Sequence, residues 1–265
     1  MFRLTVSMLF VRAHRALACL TLAATFAVLA LSSSTVVVSA QETRQNQPGQ
    51  FDFYVLSLSW SPSFCDAAGD RAQRQPECGE QPYSFVVHGL WPQYEKGFPE
   101  FCQIPAPKLD RGAISSMLDL MPAPRLIFRE WDRHGTCSGL PARAYFETVR
   151  KARAVVKIPT EFLDVKAELT VTPAEVEDAF VKANPGLTTG AMAVGCDSKR
   201  LREVRICLSR DLAFRECAEV DRRSCRRDKI VMPPVRGATP PAATGERSDT
   251  PDPRAGSPNV APIKS

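Results

Sequence analysis

Two of the chain's three histidines stand in short stretches dense with reactive side chains. His88 lies in Phe85-Val86-Val87-His88-Gly89-Leu90-Trp91-Pro92, and His134 lies in Arg129-Glu130-Trp131-Asp132-Arg133-His134-Gly135-Thr136-Cys137. On a helix, Glu130 and His134 are four apart and Glu130 and Arg133 three apart, so all three project to one side. A carboxylate, a guanidinium and an imidazole facing one cleft can bind and transform a phosphodiester. The bland alternative is a surface salt bridge between Glu130 and Arg133 with a histidine nearby. Two histidines, each in its own dense motif, are harder to dismiss as structural than one.

RNA suits such a set because it carries its own nucleophile, the 2′-OH beside the scissile phosphate. Intramolecular attack is worth an effective molarity of roughly 10⁵–10⁸ M. The protein then supplies a base for the 2′ proton, an acid for the leaving 5′ oxygen, and positive charge where the transition state gathers negative charge. Imidazoles titrate near neutrality and can take either proton role. His88, His134, Arg129 and Arg133 make up the set, and neither a metal nor another cofactor is required. Trp91 offers a face on which a base can stack; its other reading is a core residue.

Residues 53–60 read as a strand that Ser61-Pro62 ends, and 66–82 as a loop. A second strand is expected over 83–88, followed by a turn at Gly89-Leu90-Trp91-Pro92. Helices are expected over 108–120, closed by Pro122 and Pro124, over 127–134, where Gly135 stops it, and over the amphipathic stretch 142–156. Thr172-Pro173-Ala174-Glu175 is a capping box with proline at the first helical position, opening a helix that runs to about Asn184. Strands are expected over 191–196 and 203–209, where Val204, Ile206 and Leu208 alternate with Arg205, Cys207 and Ser209. The order predicts an α+β fold, a central and mostly antiparallel sheet with helices packed on it. No internal repeat is present.

Residues 1–40 read as a signal peptide: Arg3, Arg12 and Arg15 with no acidic residue, an uncharged apolar run from Ala16 to Leu31, and small residues ending Val38-Ser39-Ala40. The apolar run is slightly long, and the alternative is an uncleaved anchor. Cleavage implies a secreted or periplasmic protein free of the membrane. From Met232 proline, alanine, glycine and serine dominate without apolar periodicity, so 232–265 is expected to be a disordered tail. That leaves 41–231 as the catalytic domain, with the fold itself starting near residue 48.

Of the nine cysteines, Cys19 lies in the expected signal and eight remain. An even count behind a signal implies disulfides in an oxidising compartment, although eight cysteines allow 105 pairings. No Cys-x-x-Cys pair is present, and two histidines are too few to complete zinc sites. The formal charge of +5 comes from 34 basic and 29 acidic residues. Without the three arginines of the signal it is 31 against 29, so no global positive field acts on a partner. The basic stretch from Lys199 to Lys229, with Arg222, Arg223, Arg226 and Arg227, is either a contact for a polyanion or a solvated face.

His-Gly-Leu-Trp-Pro at 88–92 and Glu-Trp-x-Arg-His-Gly-Thr-Cys at 130–137 resemble the two active-site segments of the ribonuclease T2 family, with one conservative change in the second. The resemblance covers roughly 53–231, and 54–65, 82–93 and 121–140 look most like bacterial members. It implies an endoribonuclease that cleaves single-stranded RNA by transphosphorylation to a 2′,3′-cyclic phosphate, which is hydrolysed more slowly to a 3′-phosphate. It implies a monomer with no cofactor. It implies His134 as general base, His88 as general acid, Glu130 and Arg133 steadying the phosphate, and Trp91 stacked on a base. It also implies a Cys102–Cys137 disulfide and, by the same analogy, Cys65–Cys78, Cys196–Cys225 and Cys207–Cys217.

The chain departs from the family in three places. Arg129 stands where histidine is common and Arg133 where lysine is common. Arginine keeps the charge and binds phosphate bidentately, but its planar fork is longer. Gln93 stands where relatives often carry an aspartate that helps read the base, so base preference stays open. Two rival readings remain. One is a cysteine hydrolase using Cys137 and His134, which an oxidising compartment opposes. The other is a binding protein that keeps this fold without its catalysis.

Overall fold

A computed structural model describes residues 46–79 and 81–236. The expected signal peptide and the tail beyond residue 236 lie outside the described residues. In chain order the elements are β1 (Phe53–Trp60), α1 (Ser61–Ala68), β2 (Phe85–Gln93), α2 (Arg111–Ser115), α3 (Pro124–Arg133), α4 (Ala142–Val155), β3 (Leu169–Val171), α5 (Pro173–Ala183), β4 (Met192–Cys196), β5 (Leu201–Leu208), α6 (Ala218–Asp221) and β6 (Ile230–Met232). Four strands form the central sheet in the order β2-β1-β5-β4, every neighbour antiparallel. This is the expected α+β arrangement. No helix among the described residues is long and apolar enough to cross a membrane.

Alternation along the strands divides the sheet into two faces. Leu56, Leu58 and Trp60 of β1 join Val204, Ile206 and Leu208 of β5 in the main core, beneath Trp131 of α3, Tyr145 of α4 and Phe180 of α5. On the other face Phe53, Val55 and Cys207 form a small cluster against which Trp91 packs. Ser57 and Ser59 share this second face, opposite Arg205 and Glu203 in the β1–β5 register.

The expected turn at 89–92 is instead a continuation of β2. Ser57 pairs with Gly89 and Leu58 with Val87, which leaves His88 as the extra residue of a β-bulge. A bulge resets the alternation. Val87 and Leu90, three apart, therefore both reach the main core. His88 and Trp91, also three apart, both reach the opposite face. Pro92 is tolerated because β2 is an edge strand. Glycine and proline had signalled a break in the chain; here they mark a bulged edge.

Other boundaries moved as well. Pro62 opens α1 at its N-terminal turn. The presumed loop 66–82 holds the end of α1 and two 3-10 turns, Gly69–Arg74 and Pro76–Cys78. The helix expected over 108–120 shrinks to α2, capped where the Asp110 carboxylate accepts from the Ala113 N–H at 2.7 Å. Gly112 and the Ser115-Ser116 pair are weak helix formers, and the chain continues in tight turns to Leu120. Helix α3 begins at Pro124, three residues before the expected start. The capping box of α5 forms as written, Glu175 N–H donating to Thr172 Oγ1 at 3.1 Å and Thr172 N–H to Glu175 Oε2 at 2.7 Å. The β3–β6 pair had no clear sequence signal. It carries packed chain past the expected tail boundary at 232: Met232 pairs with Leu169, Val235 is 2% exposed, and the Trp60 indole donates to the Pro233 carbonyl at 3.2 Å.

Four disulfides hold the described chain: Cys65–Cys78, Cys102–Cys137, Cys196–Cys225 and Cys207–Cys217. The second ties the segment after β2 to the residues that follow His134, and so fixes where α3 ends.

Candidate active site

The bulge at His88 places its ring between two carboxylates from different elements. Nδ1 lies 3.6 Å from Glu203 Oε2 on β5 and 3.4 Å from Ser59 Oγ. Nε2 lies 3.6 Å from Glu130 Oε1 on α3. Glu203 is itself held by donors, from Ser57 Oγ at 2.6 Å and from Arg205 Nη2 at 2.6 Å. Arg205 also lies over the Trp91 ring, 5.5 Å from its centroid.

Glu130 is 3% exposed and accepts from the Trp91 indole N–H at 2.6 Å. That close approach explains Gly89, where a Cβ would overlap the Glu130 carboxylate and the indole nitrogen. Gly135 has the same role beside the other histidine, since a Cβ there would sit 2.5 Å from the Trp131 ring. His134 is the C-cap of α3, its N–H donating to the Glu130 carbonyl at 3.0 Å. The residue is 6% exposed, and its ring lies 5.3 Å from Trp91 and 6.3 Å from Phe98, centroid to centroid. Trp91 is thus flanked by both histidines, His88 being 5.4 Å away edge-on.

The surroundings push the two imidazoles apart. Burial, then the charges of Arg133 and His88, lower His134 to about 3, so it is neutral at working pH. Burial also opposes charge on His88. The hydrogen bond to Glu203 and the charges of Glu130 and Glu203 outweigh it and raise that pKa above the ordinary value. Burial raises Glu130, against the pull of His88 and Trp91. Glu203 is held at about 2, because its His88 contact, Arg205 and Ser57 overcome the cost of burial. An imidazole that burial keeps neutral and one that carboxylates favour in its charged form, beside the same indole, can serve as a base and an acid.

His88, Trp91, Glu130 and His134 line a cleft of about 440 Å³. Arg129 and Arg133 line it too, from the exposed side of α3. Arg133 Nε donates to Glu100 Oε2 at 2.8 Å, whereas Arg129 makes no ion pair with the described residues. Of the basic stretch singled out by sequence, Arg205 and Arg223 reach the cleft; Arg222, Arg226 and Arg227 stand exposed outside it. No group of three or more metal-ligating side chains is placed to hold an ion among the described residues.

Sequence reasoning missed Glu203, Ser57, Ser59 and Phe98. The available signal was in β5, where Glu203 and Arg205, two apart, put opposite charges on the strand face away from Val204, Ile206 and Leu208.

Residues 51–217 match the sequence profile of the Ribonuclease T2 family. A protein named "Probable ribonuclease" from Haemophilus influenzae is 34% identical over 140 residues, 48% of this chain and 52% of that protein, so the match spans about half of the relative's length. A ribonuclease of Aeromonas hydrophila is 33% identical over 173 residues, 63% of this chain and 76% of the relative. The solved structure of RNase NT in complex with 5′-AMP shares the fold, with a TM-score of 0.51 and 24% identity over 69% of this chain and 98% of that one.

Proposed function

Because the chain belongs to the ribonuclease T2 family, we propose that it is an endoribonuclease that cuts single-stranded RNA with His134 as base and His88 as acid. The observation that carries this reading is two histidines flanking Trp91 in one cleft, His88 between the carboxylates of Glu130 and Glu203 and His134 buried away from any carboxylate contact among the described residues.

Neutral His134 takes the proton of the 2′-OH, the 2′ oxygen attacks phosphorus, and His88 protonates the departing 5′ oxygen. The product is a 2′,3′-cyclic phosphate. His88, now neutral, then takes a proton from water, and His134 returns its proton to the 2′ oxygen, leaving a 3′-phosphate. Arg129 and Arg133, with Glu130 between them, line the cleft and are assigned to steadying the phosphate, and Trp91 and Phe98 to stacking on the base. Four disulfides among the described residues fit action after export, in the periplasm or outside the cell.

The deciding experiment is turnover of single-stranded RNA by purified protein in EDTA. Cyclic phosphate ends should appear first and 3′-phosphate ends later. Absence of turnover, or loss of it on chelation that added metal restores, overturns the reading.

Glu203 gives the mechanism its pH test. His88 faces Glu203 and Arg205 from β5, Glu130 from α3, and the charges of Glu77 and His134. Activity requires protonated His88, so kcat/KM falls as pH rises through the His88 pKa. Glu203→Gln removes one of the two carboxylates that raise that pKa. The alkaline limb should therefore move to lower pH by about one unit, the equivalent of 1.4 kcal/mol, while the acid limb set by His134 stays. Glu203→Asp should recover part of the shift. An alkaline limb that stays in place in Glu203→Gln means that Glu203 does not hold the acid charged.

A further inference from the structure

A second cleft, of about 530 Å³, opens on the far side of His88. His88, Arg129 and Glu203 line both clefts, whereas Trp91, Glu130 and His134 line the first alone. In the ribonuclease reading, on which this inference rests, His134 serves the 2′-OH and His88 the departing 5′ oxygen. The nucleotide 3′ of the cut therefore extends into the second cleft.

That cleft is walled by Arg125 from α3 and Arg202 from β5. Arg125, Arg129 and Arg133 are spaced by four, so three guanidiniums run along one side of α3. Arg133 is paired with Glu100. Arg125 is exposed and, like Arg129, makes no ion pair with the described residues. Like charges at this spacing oppose a helix. Arg125 also sits in the first turn, at the positive end of the helix dipole, where a cation is disfavoured and an anion is welcome. Helix stability therefore does not account for it. Arg202 faces it across the cleft and is engaged through Nη1, 3.4 Å from the Ser63 carbonyl and 3.7 Å from Asp197 Oδ2. The carboxylates of the cleft do not cancel the pair: Glu203 is held by Ser57 and Arg205, and Glu77 is buried, which raises its pKa. Four residues of helix separate Arg125 from Arg129, about 6 Å along the axis, so the two guanidiniums can serve successive phosphates.

We infer that Arg125 and Arg202 bind the phosphate that follows the leaving nucleotide, so that the protein favours RNA continuing in the 3′ direction past the cut.

The test compares kcat/KM for a dinucleoside monophosphate with that for the same dinucleotide carrying a terminal 3′-phosphate. Wild type should prefer the phosphorylated substrate by about tenfold, as one charge-assisted contact would give, and the preference should shrink as salt is raised. The double variant Arg125→Ala/Arg202→Ala should cleave the unphosphorylated substrate within twofold of wild type, which also shows that it folds, and should lose the preference. Equal rates for wild type on both substrates, a preference that survives in the variant, or an equal loss on both substrates each overturn the inference. If wild type cleaves neither, the ribonuclease reading itself fails, and this site fails with it.

Discussion

His134→Ala and His88→Ala should each lower kcat/KM for RNA by about 10²–10⁴-fold, the range of a general acid–base contribution, and the two lesions should leave different signatures. His134 is neutral down to a pKa of about 3, so its loss removes the acid limb of the pH profile. His88 is active only while protonated and its pKa is raised, so its loss removes the alkaline limb. A leaving group separates the roles. A nucleoside 3′-(p-nitrophenyl) phosphate departs without a proton, so His88→Ala should recover most of its rate on that substrate and His134→Ala should not. Measuring both variants on both substrates checks this. Activity within twofold of wild type in either variant on RNA ends the mechanism, and the opposite rescue pattern exchanges the two roles.

A single 2′-deoxynucleotide in an RNA strand should abolish cleavage at its own 3′ bond and leave neighbouring bonds intact. The 2′ oxygen is the nucleophile of the first step in this reading, and a deoxynucleotide lacks it. The loss is that of an intramolecular reaction, about 10⁵-fold or more. The product ladder of an end-labelled strand should lack one band, and an all-deoxy strand should not be cut. A band at the substituted position, at the intensity of its neighbours, would mean that water attacks directly.

What was legible in the sequence was local. Glu130, Arg133 and His134 fall within one helical turn or just past its end, so spacing alone placed them together. The Thr172–Glu175 capping box is likewise complete within four residues. The side of the sheet on which His88 and Trp91 lie depends instead on how β2 pairs with β1, some thirty residues away, and the Gly-Leu-Trp-Pro sequence reads equally as a turn. Glu203 and Arg205 lie more than a hundred residues beyond His88 and meet it only because β5 is the other neighbour of β1. The disulfide pairings were of the same kind. Spacing left every combination open, and only the resemblance named a set. The helix expected over 108–120 fell short because Gly112 and the paired serines are weak helix formers within it.

The bulge also sets which genetic changes this site can survive. Point substitutions on the outer face of β2 leave the pairing alone. Losing one codon anywhere from Phe85 to Val87 would remove the extra residue, and β2 would return to strict alternation with β1. Trp91 would still lie opposite Val55, but His88 would come to lie opposite Leu58 and turn into the main core. A lineage carrying this strand can drift in sequence, but its length between Phe85 and Gly89 is constrained, because a deletion there takes the His88 imidazole out of the cleft and into an apolar core.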